Sequence, residues 1–211
     1  MYIAIEGVIG VGKTTLARLL QPHFEAQLIL EAFEENPFLS DFYSDRDRYA
    51  FQTQIFFLLS RYRQQIENVN PLLGSGDLIA DYTFEKDALF ARLNLKGDEL
   101  NTYHSVYHAL SEQIQPPDLI VFLKADTQVA MQRIAMRDRS FERNMDYNYI
   151  DDLNRAYDDF FRDRKAQRVL TIDTNLLDFV AQVDHLENIS TRIRAALGIP
   201  PFQTELPFQE G

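Results

Sequence analysis

Not one of the 211 residues is cysteine, which excludes disulfides, thiolate catalysis and Cys-based metal sites and fits a reducing compartment. Positive charge is scarce as well. Lys and Arg number 21 against 32 Asp and Glu, for a formal charge of −11. A phosphate backbone demands a basic surface, so no nucleic-acid polymer is expected as partner; a small metabolite fits better. No apolar run approaches the roughly 20 residues needed to cross a bilayer, so no membrane partner is expected. The opening Met1-Tyr2-Ile3-Ala4-Ile5-Glu6 has no basic segment of a secretion signal. These absences together predict a cytoplasmic protein, and neither an internal repeat nor a low-complexity segment interrupts it.

With 45% hydrophobic and 12% aromatic residues, the chain can bury a substantial core in one domain. Short apolar runs recur between longer amphipathic stretches: Tyr2 to Glu6, Leu28 to Leu30, Leu78 to Asp81, Leu119 to Lys124 and Val169 to Ile172. This alternation predicts an α/β fold, a parallel sheet wrapped by helices. Ligands of such sheets bind at the carboxyl ends of the strands, where Glu31 and Asp81 stand.

The first run breaks into Gly7-Val8-Ile9-Gly10-Val11-Gly12-Lys13-Thr14-Thr15, a glycine-rich loop closing on lysine and threonine at P-loop spacing. Glycines let successive amides turn inward toward phosphate oxygens. Lys13 adds a point charge for the outer phosphates, and the Thr14 hydroxyl can hold magnesium as the next helix presents its positive end. Strand, spacing, lysine and threonine together predict a cradle for ATP or GTP. What receives the phosphate must be read elsewhere.

Arg48 to Asn68 reads as one long helix, with Phe51, Ile55, Leu58, Leu59, Tyr62 and Ile66 at helical spacing. Gln54 and Arg61 fall within about 20° of one face, roughly 10 Å apart along the axis. They can address one ligand, or simply form a solvated face. Glu31, Glu34 and Glu35 follow the second strand. Glu31, first past the strand, is the candidate base for an acceptor hydroxyl; a solvated turn is the plainer reading. Arg133, Arg137, Arg139 and Arg143 crowd eleven residues of an acidic chain. They suit transferring phosphoryl oxygens, although Asp138 and Glu142 can pair with them in a surface network. Pro71 to Gly76 is a turn-rich loop, Pro116-Pro117 ends a helix, and neither looks like a domain linker.

In this order the P-loop, Glu31 with Glu34 to Leu39 after it, Phe42-Tyr43, Gln54 with Ser60 to Arg63, Asp81-Tyr82-Thr83 with Lys86-Asp87, Arg137 to Glu142 and Asp173 to Phe179 resemble deoxynucleoside kinases. The match is closest to the bacterial deoxyguanosine and deoxyadenosine kinases, and runs from Tyr2 to about Leu197. The resemblance implies a five-stranded parallel sheet of order 2-3-1-4-5 with helices on both faces and an arginine-rich lid, in a domain spanning 1–198 before an irregular tail at 199–211. It also implies a homodimer, ATP as donor and Mg2+. Glu31 would activate the 5′-hydroxyl, and Tyr43 with Glu142 would hold the 3′-hydroxyl. Gln54, Arg61 and Asp87 would read the base. Lys13 with Arg133, Arg137 and Arg139 would meet the donor phosphates, Asp178 and Phe179 the donor base, and Thr14 and Asp81 the magnesium.

One departure stands out: where many members carry an arginine after the strand-end acid, this chain has Tyr82. The arginine's task of positioning the 5′-oxygen must then fall to another group, such as a lid arginine, and Tyr82 joins the expected substrate contacts. The expected reaction is 5′-phosphorylation of a purine deoxynucleoside, deoxyguanosine before deoxyadenosine. A thymidylate-type monophosphate kinase and a non-catalytic nucleotide sensor are the alternatives. The first would need basic residues near the third strand, where Asp81-Tyr82-Thr83 supplies none.

Overall fold

Tyr2–Glu6 is buried along its whole length, as a strand covered on both faces must be. In the computed structural model, which describes residues 1–162 and 168–200, it forms the central strand β1. Around it lie β2 (Gln27–Ile29), β3 (Leu78–Ala80), β4 (Leu119–Lys124) and β5 (Val169–Asp173) in the order β2-β3-β1-β4-β5. All pairings are parallel, with Ile3 opposite Ile79 on one side and Leu119 on the other. The expected strands thus appear in the expected order, with ends shifted by a residue at β2, β3 and β5.

Helices connect the strands. α1 (Lys13–Phe24) follows the phosphate loop, α2 (Leu39–Ser44) follows β2, and α3 (Arg46–Gln64) is the predicted long helix. The α3 start is fixed by Asp45, whose side chain accepts from the Arg48 N–H, an N-cap three residues before the predicted start. Its far end widens into a π turn at Gln65–Val69 and continues as α4 (Asn70–Leu73). Pro71 has no N–H for a regular helical bond, so the expected loop from Pro71 is partly helical only after this widened turn.

α5 (Lys86–Asn94) and α6 (Gly97–Ser111) precede β4. α7 (Thr127–Arg137), α8 (Tyr147–Arg162) and α9 (Val183–Leu197) complete the order. α1 packs on α9 and β1, and α5 packs against both α3 and α8. Side chains alternate across β1 as strand geometry requires. Ile3 and Ile5 join the main core, while Tyr2 and Ala4 join a smaller cluster with Val69, Leu78, Ala80 and Tyr82. Of the expected tail, Ile199 and Pro200 are tied to the end of α9 through Arg194; residues 201–211 lie outside the described residues. No helix among the described residues is long and apolar enough to cross a membrane.

The strand ends are held together by a carboxylate. Glu6, fully buried at the end of β1, accepts from the Thr83 N–H at 2.6 Å and its hydroxyl at 2.9 Å. Its other oxygen accepts from the Gly7 N–H at 3.2 Å and the Tyr157 hydroxyl at 3.1 Å. One side chain thereby fixes the phosphate loop, the β3 end and α8 relative to each other. Because four donors lose their acceptor together, Glu6→Ala is expected to cost about 3 kcal/mol and Tyr157→Phe about 1 kcal/mol in urea denaturation. Equal midpoints for Glu6→Ala and the parent protein would refute this pin.

Candidate active site

Gly10 and Gly12 have φ of +86° and +103°, and neither position has room for a side chain. A Cβ at Gly10 would stand 2.6 Å from the Ala130 carbonyl of α7, and one at Gly12 would stand 3.0 Å from the Phe179 ring. The loop is thus turned inward and clamped between α7 and the segment after β5. Lys13 closes it, donating to the carbonyls of Gly7 at 2.7 Å and Val8 at 3.1 Å. Burial and the nearby Lys86 ammonium push Lys13 down to about 8, against the pull of Glu6, Glu31 and Asp81.

Asp81, just past β3, receives the Thr14 hydroxyl at 2.5 Å on one oxygen and the Glu31 N–H at 2.8 Å on the other. It therefore sets the start of α1 against the end of β2. Glu31 is held in turn by two cations from distant segments. Arg61 of α3 reaches Oε1 with Nε at 2.7 Å and Nη2 at 2.5 Å, and Lys86 of α5 reaches Oε2 at 2.6 Å. Arg61 Nη1 lies 2.7 Å from the fully buried Asp87. Burial alone would raise Glu31, but Arg61 and Lys86 outweigh it and lower the carboxyl to about 2. Asp87 is raised by burial, which Arg61 only partly offsets.

Asp81, Glu31, Arg61 and Lys86 line one cleft, whose aromatic walls and few convergent polar groups suit a small metabolite. At one end lie Gly10, Lys13 and Thr14; at the other, Gln54, Phe57, Arg61 and Phe90. Between them the segment after α7 supplies a wall: Phe141 stacks on Tyr43 at 6.2 Å and 7°, and the Arg139 guanidinium lies 4.2 Å over Phe33. Arg137 makes a two-pronged pair with the buried Glu142, Nη2 standing 2.6 Å from both carboxylate oxygens. An adjoining groove is lined by Gly12, Arg133, Met136, Asp178 and Phe179.

A phosphate loop, a buried carboxylate and a polar-tipped aromatic slot in one cleft define a phosphotransferase, and comparison with known proteins names its kind. A family model described as deoxynucleoside kinase matches residues 3–197. The chain belongs to the deoxynucleoside kinase family. It is 34% identical over 198 residues to the deoxyguanosine kinase of Bacillus subtilis (strain 168), covering 92% of this chain and 96% of that protein. To the deoxyadenosine kinase of Dictyostelium discoideum it is 34% identical over 211 residues, covering 95% and 84%. A solved structure of deoxyadenosine kinase from M. mycoides with bound dATP superposes with a TM-score of 0.80 at 26% identity, covering 92% of this chain and 99% of that one.

Within this deoxynucleoside kinase most expected site residues meet in the two clefts, and the structure redirects three of them. Tyr82, expected to touch substrate, is instead buried outside the cleft lining with Tyr2, Ala4 and Leu78, because Leu78, Ala80 and Tyr82 share one strand face while Asp81 takes the other. Asp87 does not line the cleft and lies behind Arg61. Arg133, expected among the lid arginines, gives Nη1 to the Val11 carbonyl at 3.2 Å and the Thr174 hydroxyl at 3.0 Å, and Nη2 to the Thr174 carbonyl at 2.7 Å. It braces the phosphate loop. Glu34 and Glu35 are exposed. Lys86, Phe57, Phe90 and Phe141 enter the site without a sequence-derived role; only the position of Lys86 beside Asp87, at the start of a helix after the β3 acid, hinted at it.

The unfolded Glu31 carboxyl takes a proton near pH 4.5, while the folded one holds its charge to about 2. Between these values the unfolded chain binds the extra proton, so this contribution to stability is present above pH 4.5 and drains as pH falls toward 2. Denaturation midpoints across that window are expected to fall more steeply for the parent protein than for Glu31→Gln. Equal slopes would contradict an ionised, doubly paired Glu31.

Proposed function

We propose that this chain transfers the γ-phosphoryl group of ATP to the 5′-hydroxyl of a purine deoxynucleoside, deoxyguanosine first and deoxyadenosine second, as a cytoplasmic homodimer. The observation that carries it is the placement of Glu31 in one cleft with Lys13 and Thr14 on the donor side and Gln54 on the other. Gln54 is 2% exposed and its Oε1 has no hydrogen-bond partner, so it offers an acceptor to a base that presents N–H groups. Arg61, restrained by Glu31 and Asp87, presents a fixed guanidinium beside it. The ranking of purines rests on the similarity to deoxyguanosine and deoxyadenosine kinases. The homodimer rests on the family resemblance, which implies assembly by helix packing. An ATP-consuming reaction fits the cytoplasm.

In the proposed mechanism the 5′-hydroxyl donates to Glu31 and its oxygen attacks the γ-phosphorus in line. The bond to the bridging oxygen breaks, its electron pair leaves with ADP, and the proton passes to Glu31. A carboxylate held near 2 is a weak base, which suits a loose transition state that needs the nucleophile oriented more than ionised. Lys13, Arg137 and Arg139 meet the charge on the phosphoryl oxygens.

Thr14 and Asp81 form an oxygen-only donor pair in the cleft, and among the described residues no group of three or more His, Cys, Asp or Glu could hold a metal. That fits magnesium, which keeps its waters and binds through one carboxylate and substrate phosphates. Bound there, it would neutralise charge developing on the donor phosphates.

The deciding experiment compares kcat/KM for deoxyguanosine, deoxyadenosine, deoxycytidine, thymidine and dTMP with ATP and magnesium. Preference for a purine deoxynucleoside is expected, whereas turnover of dTMP alone would overturn the acceptor assignment. Glu31→Gln should lower kcat about a thousandfold with nucleoside affinity largely kept. Because free Lys13 loses its proton near 8, kcat/KM for ATP should fall as pH rises through that value, with kcat moving less since bound phosphates retain the proton. A flat profile from pH 7 to 9.5 would remove Lys13's charge from donor recognition.

A further inference from the structure

A carboxylate offers about four acceptor positions. At Glu31, Arg61 fills Oε1 with both Nε and Nη2, while Oε2 takes only the Lys86 ammonium. The acceptor position left to an incoming hydroxyl is therefore on Oε2, beside Lys86. Lys86 is itself 4% exposed, faces the cleft, and keeps two N–H groups beyond the one aimed at Glu31. Beneath it lies the Tyr82 ring, with its centroid 5.9 Å from Nζ. The aromatic residue that replaces the arginine seen in many relatives thus forms part of the floor under a cation from the next turn of chain.

We propose that Lys86 is the positioning residue of phosphoryl transfer in this chain, holding Glu31 with Oε2 turned to the acceptor hydroxyl. It takes over the task that the resemblance gives to an arginine at position 82, and no lid arginine is needed for it. The inference rests on the kinase reading above. The hydroxyl proton goes to Glu31 Oε2, while Lys86 Nζ keeps its contact with that carboxylate. The same charge opposes that of Lys13.

The test uses the full chain, Lys86→Met and Lys86→Arg, with kcat, KM for deoxyguanosine, pH profiles and Tm. Lys86→Met is expected to lose about 100-fold in kcat, to keep KM for deoxyguanosine within threefold, and to show the acid limb of kcat at higher pH, because Glu31 has lost one of its two cations. Lys86→Arg, which restores the charge, should recover at least tenfold of the loss and move the acid limb back. A merely structural lysine would lower Tm without moving that limb. Independently of any substrate, carboxyl NMR titration should place the Glu31 pKa higher in Lys86→Met than in the parent. An active parent with an equally active Lys86→Met, or an unmoved acid limb, overturns the role of Lys86 alone. A parent that phosphorylates no deoxynucleoside overturns the kinase reading and this inference with it, whatever the titration shows.

Discussion

A carboxylate stays ionised inside a protein only if cations or several hydrogen-bond donors meet it there, and Glu31 is met by two cations. The rest of the acceptor side follows from that requirement. Arg61 must itself be compensated, because one carboxylate cannot neutralise both cations, and Asp87 supplies the second negative charge. Two carboxylates and two cations leave no net charge in the cleft wall. They come from just past β2, the last turn of α3 and the first turn of α5, so the network is also a tie among three elements that share no local sequence. Removing any one member leaves a buried charge unmatched, a much larger cost than losing a surface pair.

The donor side is built on a different constraint, the convergence of parallel strand ends. Gly7 and Asp81 follow their strands directly and Glu31 stands two residues past β2, and the pairing of β2, β3 and β1 brings these ends together. Short side chains and backbone N–H groups then suffice to join them. Asp81 links Thr14 to the Glu31 backbone, and Glu6 links Gly7 to Thr83. The donor loop and the acceptor carboxylate are thus set in one frame by the sheet itself, which gives the precision that in-line transfer needs.

How much of this could be read from the sequence follows from the range of each interaction. The P-loop and the strands are local patterns and stand within a residue of where periodicity put them, whereas α3 buries Thr53, Gln54 and Arg61 and leaves Leu59 of its apolar stripe exposed. The placement of Asp81 against Tyr82 was also local: alternation from Leu78 sends the two to opposite faces, and this signal outweighs motif correspondence at a strand end. Lys86 is of another kind. Its pairing with Glu31 spans 55 residues, and no spacing rule connects a lysine opening one helix to an acid ending a distant strand. Arg133 shows the same limit, since a run of arginines announces positive charge but not which guanidinium is spent on backbone carbonyls.

The segment after α7 joins the two halves of the site. Arg137 projects from the last turn of α7, and Glu142 lies five residues on, yet the pair is two-pronged and the carboxylate is buried. Such a pair fixes the orientation of both groups more firmly than a single contact. Glu142 also sits beside Phe141, whose ring stacks on Tyr43 of α2. Any ligand group that engages Glu142 or Tyr43 therefore acts on the same rigid unit that carries Arg137 toward the phosphate loop. On the proposed roles, one ion pair would couple recognition of the acceptor to stabilisation of the transferring group.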